Sequence, residues 1–300
     1  MPYMKLDYFT DDEGFPFFIQ YGRHDEDLFI HTHEDFFELV IVLSGSASHM
    51  VDDEKFQISK GDVFVIGNNT AHGYQDTDNF RICNIMFRLD SLFPGNYDIT
   101  RSAGFHALFL LEPYVSKEYK FSSRLKLLQK DFDKVCKMVD MMHSEYQNKS
   151  EGWRTFLQSS FMTLVVILSR FYDFKDDFHR MDIINIAKAI SYIENHYNED
   201  ISIQMLADLS HYSERHFIRV FRDTYHTTPM NYIISLRIRK ACLQLKDSSL
   251  SISDIALRCG FNNSNYFSRI FKQQIGITPT RYRSYEPVYP GSMTLQTGEL

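Results

Sequence analysis

Residues 251–283 read SISDIALRCGFNNSNYFSRIFKQQIGITPTRYR, and residues 202–233 read SIQMLADLSHYSERHFIRVFRDTYHTTPMNYI. The two stretches repeat each other, and a repeat outranks other readings of a chain. Leu206-Ala207 matches Ile255-Ala256. Phe217, Arg219, Phe221-Arg222, Thr228-Pro229 and Tyr232 match Phe267, Arg269, Phe271-Lys272, Thr278-Pro279 and Tyr282. The offset is 49 before the turn and 50 after it, so the later copy has a turn one residue longer.

Each copy has the parts of a helix-turn-helix. Ser202 and Ser251 stand as N-caps, where a hydroxyl takes a free backbone N–H of the first turn. A small residue, Ala207 or Ala256, lets the next helix approach. Gly260 suits a left-handed cap, and His211 holds the matching place less comfortably. A second helix begins near Ser213 or Ser264, with an apolar face of Phe217, Val220 and Phe221, or of Phe267, Ile270 and Phe271. Thr-Pro opens a further helix in both copies, since proline at the first helical position forfeits no bond. Pro229 to Leu245 reads as a helix of about 17 residues, roughly 25 Å long. A rod of that length suits two readers in neighbouring major-groove segments about 34 Å apart. Its Arg237, Arg239 and Lys240 read as phosphate contacts or as solubilising charge, with solubility favoured.

The outward faces of the two second helices carry the chemistry. One offers Glu214, Arg215, His216, Ile218, Arg219 and Arg222; the other offers Asn263, Ser264, Asn265, Ser268, Arg269 and Lys272. Arginine and asparagine form paired bonds to guanine and adenine edges, and a terminal Arg or Lys suits phosphate. The charge distribution agrees. Residues 181–285 hold 13 Lys+Arg against 9 Asp+Glu, net +4, whereas residues 1–180 hold 19 against 28, net −9. A polyanion partner belongs to the back half alone.

The stretch G-F-x5-F-x-R-x-F-K-x3-G-I-T-P-x2-Y-R (260–283), with its degenerate first copy, resembles the DNA-binding domain of AraC/XylS-type transcription regulators over about 182–284. The resemblance implies base contacts from Arg215, Ile218 and Arg219 in the first reader and from Ser264, Asn265 and Arg269 in the second. Ile218 offers a thymine methyl an apolar contact instead of a hydrogen bond.

The front half is built differently. FELVIVLSG, SASHMVDD, EKFQISKGD, VFVIGNN and FRICNIMF are short alternating runs, the signature of an antiparallel sandwich or barrel. From about 122 the period changes to three and four, through Leu125, Leu128, Phe132, Val135, Met138, Val139 and Met142. A second helical run covers Trp153 to Tyr172. This hairpin buries its stripe on its own barrel or against a second copy; a homodimer is the expectation, with help from the family resemblance.

HTHEDFFELVIVLSG (31–45) and GDVFVIGNNTAHGY (61–74) resemble the two cupin motifs. His31, His33, Glu38 and His72 match the positions where metal-binding cupins place ligands, and three imidazoles with a carboxylate suit Zn, Fe, Mn or Ni. The motif is imperfect: Gly67-Asn68-Asn69 replaces Pro-x-Gly, and Asp76 replaces the closing Asn. The front half also resembles sugar-responsive members of the family, most closely rhamnose-operon activators. That likeness implies His72 and Tyr74 against a sugar, with His31, His33 and Glu38 beside them. Whether the cluster touches sugar directly, holds a divalent metal or is merely structural stays open. His49 reads either as inward-facing by alternation or, by preference, as an ordinary strand residue.

The expected fold is multidomain α+β. Residues 1–120 form a cupin-like effector-binding barrel, 121–172 a dimerising helical hairpin and 173–180 a linker. Residues 181–285 form an all-α domain with two helix-turn-helix motifs on a long helix, and 286–300 a flexible tail. Four scattered cysteines, an acidic start without an apolar leader and no long apolar stretch point to the cytoplasm. The expected function is a non-enzymatic regulator, an activator of carbohydrate uptake or catabolism genes. Its partners are double-stranded DNA, a monosaccharide such as rhamnose, a second copy and RNA polymerase, without a membrane; no cofactor is required, a divalent metal being optional. The alternatives are a metal-dependent cupin enzyme carrying a DNA-binding tail, and an effector-independent regulator with a vestigial barrel.

Overall fold

The computed structural model describes residues 2–10, 12, 14–51, 54–88, 97–115, 124–173, 181–247 and 249–284. Contacts divide the chain into two compact units, Met1–Asn195 with Ser202–Thr228, and His196–Ile201 with Pro229–Leu300. The expected linker lies outside the described residues over 174–180, as does the expected tail, 286–300.

The first unit opens with eight strands: β1 Tyr3–Met4, β2 Phe17–His24, β3 Leu28–His33, β4 Phe37–Val51, β5 Glu54–Ser59, β6 Asp62–Ile66, β7 His72–Phe87 and β8 Leu125–Lys126. They order as β1-β3-β7-β4-β6-β8, with β2 on β7 and β5 on β4. The pairing is antiparallel except for β1 on β3, which runs parallel. The short runs of the sequence are joined more than they are separated: FELVIVLSG and SASHMV form one 15-residue strand, and 72–87 form one 16-residue strand.

Gly45 explains how β4 continues through an apparent stop. Its φ is +70°, and a Cβ there would lie 2.1 Å from the Asp78 carbonyl oxygen. The register against β7 shifts between Val42 and Ser48, as a bulge requires. The extra residue reverses which parity faces inward. Val40 and Val42 precede the bulge, Ala47 and Val51 follow it, and all four pack in one core with Phe64, Ile66, Tyr74, Phe80 and Ile82. Glu38 is therefore carried inward on the even side and His49 on the odd side.

The outer side of the sheet takes the helical hairpin. A helical segment α1 spans 103–115, its His106–Leu111 stretch π-helical; α2 is Gln129–Asn148 and α3 is Trp153–Asp173. The Phe161 ring of α3 lies 5.5 Å from that of Phe17 and 4.8 Å from that of Phe87. Phe132, Val135, Val139 and Met142 of α2 are buried as well. The hairpin's main stripe is thus spent on its own sheet, leaving Met141 and Phe156 exposed. Leu125 and Leu128 were expected on this helix face. Leu125 instead pairs with Val63 at the sheet edge, and Leu128 is the N-cap, 67% exposed. The strand domain accordingly runs past 120, to Lys126.

The back half was expected as one domain over 181–285. Helices α4 Met181–His196, α5 Ile203–Leu209 and α6 Glu214–Tyr225 fall largely with the first unit. His106 explains part of this. Its Nε2–H donates to the Thr100 carbonyl at 2.7 Å, and its Nδ1 accepts from the Tyr225 hydroxyl at 2.6 Å. Burial pushes this imidazole down to about 4, so it stays neutral and able to accept. Ser191 and Asn195 of α4 also donate to the Arg101 carbonyl.

The second unit holds α7 Pro229–Asp247, α8 Ile252–Arg258, α9 Ser264–Ile275 and α10 Pro279–Arg283. Its core joins Ile238, Ala241 and Leu245 to Ile255, Ala256, Cys259, Phe261, Phe267 and Phe271. Arg237 is not a solubilising charge. Half-buried, it donates from Nε to the Tyr197 carbonyl at 2.6 Å and from Nη2 to the Glu199 carbonyl at 2.7 Å. Those carbonyls lie past the end of α4, where helix geometry leaves acceptors unsatisfied. Among the described residues, no helix is long and apolar enough to cross a membrane.

Candidate functional site

Strand alternation brings His31 and His33 from β3, Glu38 from β4 and His72 from β7 to one point inside the sheet. One ligand atom from each lies within 4.8 Å of the others, and all four residues are buried. His33 Nε2 is 3.1 Å from His72 Nε2 and 3.1 Å from Glu38 Oε2, and His72 Nε2 is 3.7 Å from that oxygen. Around a tetrahedral ion with bonds of about 2.0–2.1 Å, neighbouring ligand atoms stand roughly 3.3 Å apart. His33, Glu38 and His72 stand near that spacing, which direct hydrogen bonds between them also produce, and atoms already this close leave no room between them for a sugar ring. His31 Nδ1 lies 3.1 Å from the Phe29 carbonyl. The proton on that nitrogen leaves Nε2 with its lone pair. Burial holds the His31 imidazole below its usual range and that of His72 well below it. Both offer lone pairs rather than charge.

Tyr74 shares the inward face of β7 with His72. Burial raises its phenol well above the ordinary tyrosine range. Its hydroxyl, Thr32 Oγ1, His33 Nδ1 and His72 Nδ1 are buried without a hydrogen-bond partner, and such groups point to a bound molecule or ordered water. Two further imidazoles frame the phenol: His49 at 5.1 Å and His24 at 5.8 Å between ring centroids. His49 also stacks on Phe64 at 4.8 Å, and burial pushes it down to about 3. Its inward placement, the lesser of the two sequence readings of this residue, is set by the Gly45 bulge. His24, half-buried at the end of β2, belongs to neither motif.

The two readers have the caps the repeat implies at Ser202 and Ser251, and their second helices start beside Ser213 and at Ser264 as expected. Ser202 accepts from the Met205 N–H, Ser213 from His216 and Ser251 from Asp254. In the second motif the cap is Asn263, whose side chain accepts from Asn265 and Tyr266. Ser264 is thus the first helical residue, and the carbonyl of Asn263 is engaged by the helix instead of being free for a base. His211 and Gly260 both adopt the left-handed conformation, at φ 57° and 87°. His211 manages there what glycine does more easily.

Phe217, Val220 and Phe221 are buried, as are Phe267 and Phe271, with Ile270 partly so. Outward, Arg215, Arg219 and Arg222 are exposed on α6, and Asn265, Arg269 and Lys272 on α9. His216, Ile218, Ser264 and Ser268 are half-buried. Arg215, His216, Ile218, Arg219 and Arg222 line one open groove of about 850 Å³.

Comparison with known proteins matches residues 14–165 to the family described as AraC-like ligand binding domain, and residues 206–285 to that described as Helix-turn-helix domain. The HTH-type transcriptional activator RhaS of Enterobacter sp. (strain 638) is 28% identical over 251 residues, 84% of this chain and 86% of its own length. The HTH-type transcriptional activator RhaR of Mannheimia succiniciproducens is 24% identical over 279 residues, covering 92% and 94%. That of Pectobacterium carotovorum subsp. carotovorum is 28% identical over 284 residues, covering 92% and 93%.

Proposed function

The chain belongs to the family of the AraC-like ligand binding domain, and from that premise we propose a transcription regulator that binds double-stranded DNA through two helix-turn-helix motifs and obeys a small molecule held by the strand domain. One observation carries this reading: two separately capped helices each bury paired phenylalanines and turn arginine outward. A lone helix with that face is only a solvated surface, whereas two in matching motifs are a reader. The relatives are named activators rather than enzymes, which leaves the enzyme alternative without a counterpart.

The effector is a monosaccharide, rhamnose being the first choice because the front half resembles rhamnose-operon activators. Its hydroxyls would satisfy the orphaned Tyr74 phenol and Thr32 hydroxyl, while the aromatic rings beside Tyr74 cover its apolar face. His31, His33, Glu38 and His72 would hold a divalent ion, a reading supported by their spacing. Such an ion would act on effector hydroxyls as a Lewis acid. Exposed Met141 and Phe156 on the hairpin favour a homodimer. As an activator it would meet RNA polymerase in the cytoplasm.

The test is selection of duplexes from a randomised pool by the full chain. Arg269→Ala is expected to weaken binding to the selected duplex by about 1–3 kcal/mol and to relax preference at one base pair. Equal weakening on all sequences would reduce Arg269 to a phosphate contact, and no sequence enrichment by the wild type would overturn the proposed function.

A further inference from the structure

In both motifs the outward arginine ends a three-residue chain of contacts that begins in the turn. In the first, the Tyr212 and His216 rings lie 4.3 Å apart, and Arg219 Nη2 donates to His216 Nδ1 at 3.1 Å. In the second, the Phe261 and Tyr266 rings lie 6.2 Å apart, and the Arg269 guanidinium sits 5.5 Å from the centre of the Tyr266 ring. The chains of contacts occupy equivalent places, since Tyr212 and Phe261 are 49 residues apart and the other two pairs 50. Each begins on a fixed point: the Tyr212 N–H donates to the Ala207 carbonyl at 3.0 Å, and that of Phe261 to Ala256 at 2.9 Å.

The chemistry of the last step differs between the copies, an edge-on hydrogen bond in one and a ring-face contact in the other, while its three-residue spacing does not. Arginine has no acceptor, so His216 must accept at Nδ1, which places its proton on Nε2. Tyr266 instead offers the face of its ring, within the range of a cation–π contact. Both contacts span three residues on one helix face, where side chains meet. Two different residue types each placing a ring against the arginine three residues on is the observation that matters. A free arginine loses rotamer entropy when it is held; one already held against a ring loses less on binding.

We propose that His216 and Tyr266 are positioning residues that act through Arg219 and Arg269, aiming each guanidinium at its base; the inference rests on the DNA-reading function above. His216, grouped by sequence with the base contacts, is thereby given a different role, and Tyr266 is added to the reader.

The experiment measures affinity of the full chain for its selected duplex and for every single-base variant of that duplex. Tyr266→Leu is expected to bind the selected duplex about two- to fivefold more weakly, the range of an exposed cation–π contact, and His216→Leu about two- to tenfold, the range of a single hydrogen bond. The loss is confined to the base pair read by the partner arginine. His216→Gln, which keeps an acceptor, and Tyr266→Phe, which keeps the ring face, restore most of it. The decisive arm is a double-mutant cycle: with Arg219→Ala or Arg269→Ala already present, the leucine substitution should cost nothing more. Melting temperatures stay at the wild-type value. An undiminished loss in the alanine backgrounds, no loss in the parent chain, or a uniform loss with a lowered melting temperature would each overturn the proposal. A wild-type chain that enriches no duplex sinks the reading function and the proposal together, whereas enrichment with fully additive losses sinks the proposal alone.

Discussion

Glu38 lies on a strand whose neighbours on the same face are Val40 and Val42, and it is 3% exposed. A carboxylate so placed is costly unless paired or ligating, and its partners here are the His33 and His72 nitrogens. The H-x-H spacing and the following glutamate were legible, because alternation alone sends two histidines to one side. Which ligand they meet was not, because the answer lies in gaps of 3.1–3.7 Å between strands far apart in sequence. Those gaps favour an ion. Full-length protein stripped with chelator and dialysed against zinc should carry about one ion per chain by elemental analysis. At a hundredfold excess over Kd the ion adds about 2.7 kcal/mol of stability, read as a higher melting temperature. Glu38→Gln should lose both effects; equal metal content in wild type and variant would refute the ion reading.

The long strands and the readers differ in how far sequence reveals them. Capped helices announce themselves locally, which is why the caps Ser202 and Ser251 and helix starts near Ser213 and Ser264 are legible. Leu125 and Leu128 fit a helical period by coincidence, while pairing with Val63 drew Leu125 into the sheet. In β4, glycine reads as a stop, yet Gly45 lets the strand pass the Asp78 and Asn79 carbonyls. Gly45→Ala should therefore destabilise the protein by at least about 1–2 kcal/mol, since both the positive φ and the missing space oppose a Cβ. Thermal or urea unfolding measures it. An unchanged midpoint would mean that the bulge tolerates a side chain and that Gly45 does not hold the parity switch carrying His49 inward.

Across the whole molecule, the twin motifs and the change from acidic to basic composition were plain in the sequence, because a repeat and a charge balance need no tertiary knowledge. The grouping of α6 with the strand domain was not, for it depends on contacts such as His106 to Tyr225, 119 residues apart. A small molecule in the strand domain can govern DNA binding only by favouring one arrangement of the protein over another. The most direct measurement is the affinity of the full chain for its selected duplex with and without a saturating monosaccharide, L-rhamnose first. A coupling of about 1–3 kcal/mol, or roughly 5–150-fold in affinity, is expected, and Tyr74→Ala should abolish it. The contradicting result is an affinity that remains the same across the whole panel of sugars, in wild type and Tyr74→Ala alike.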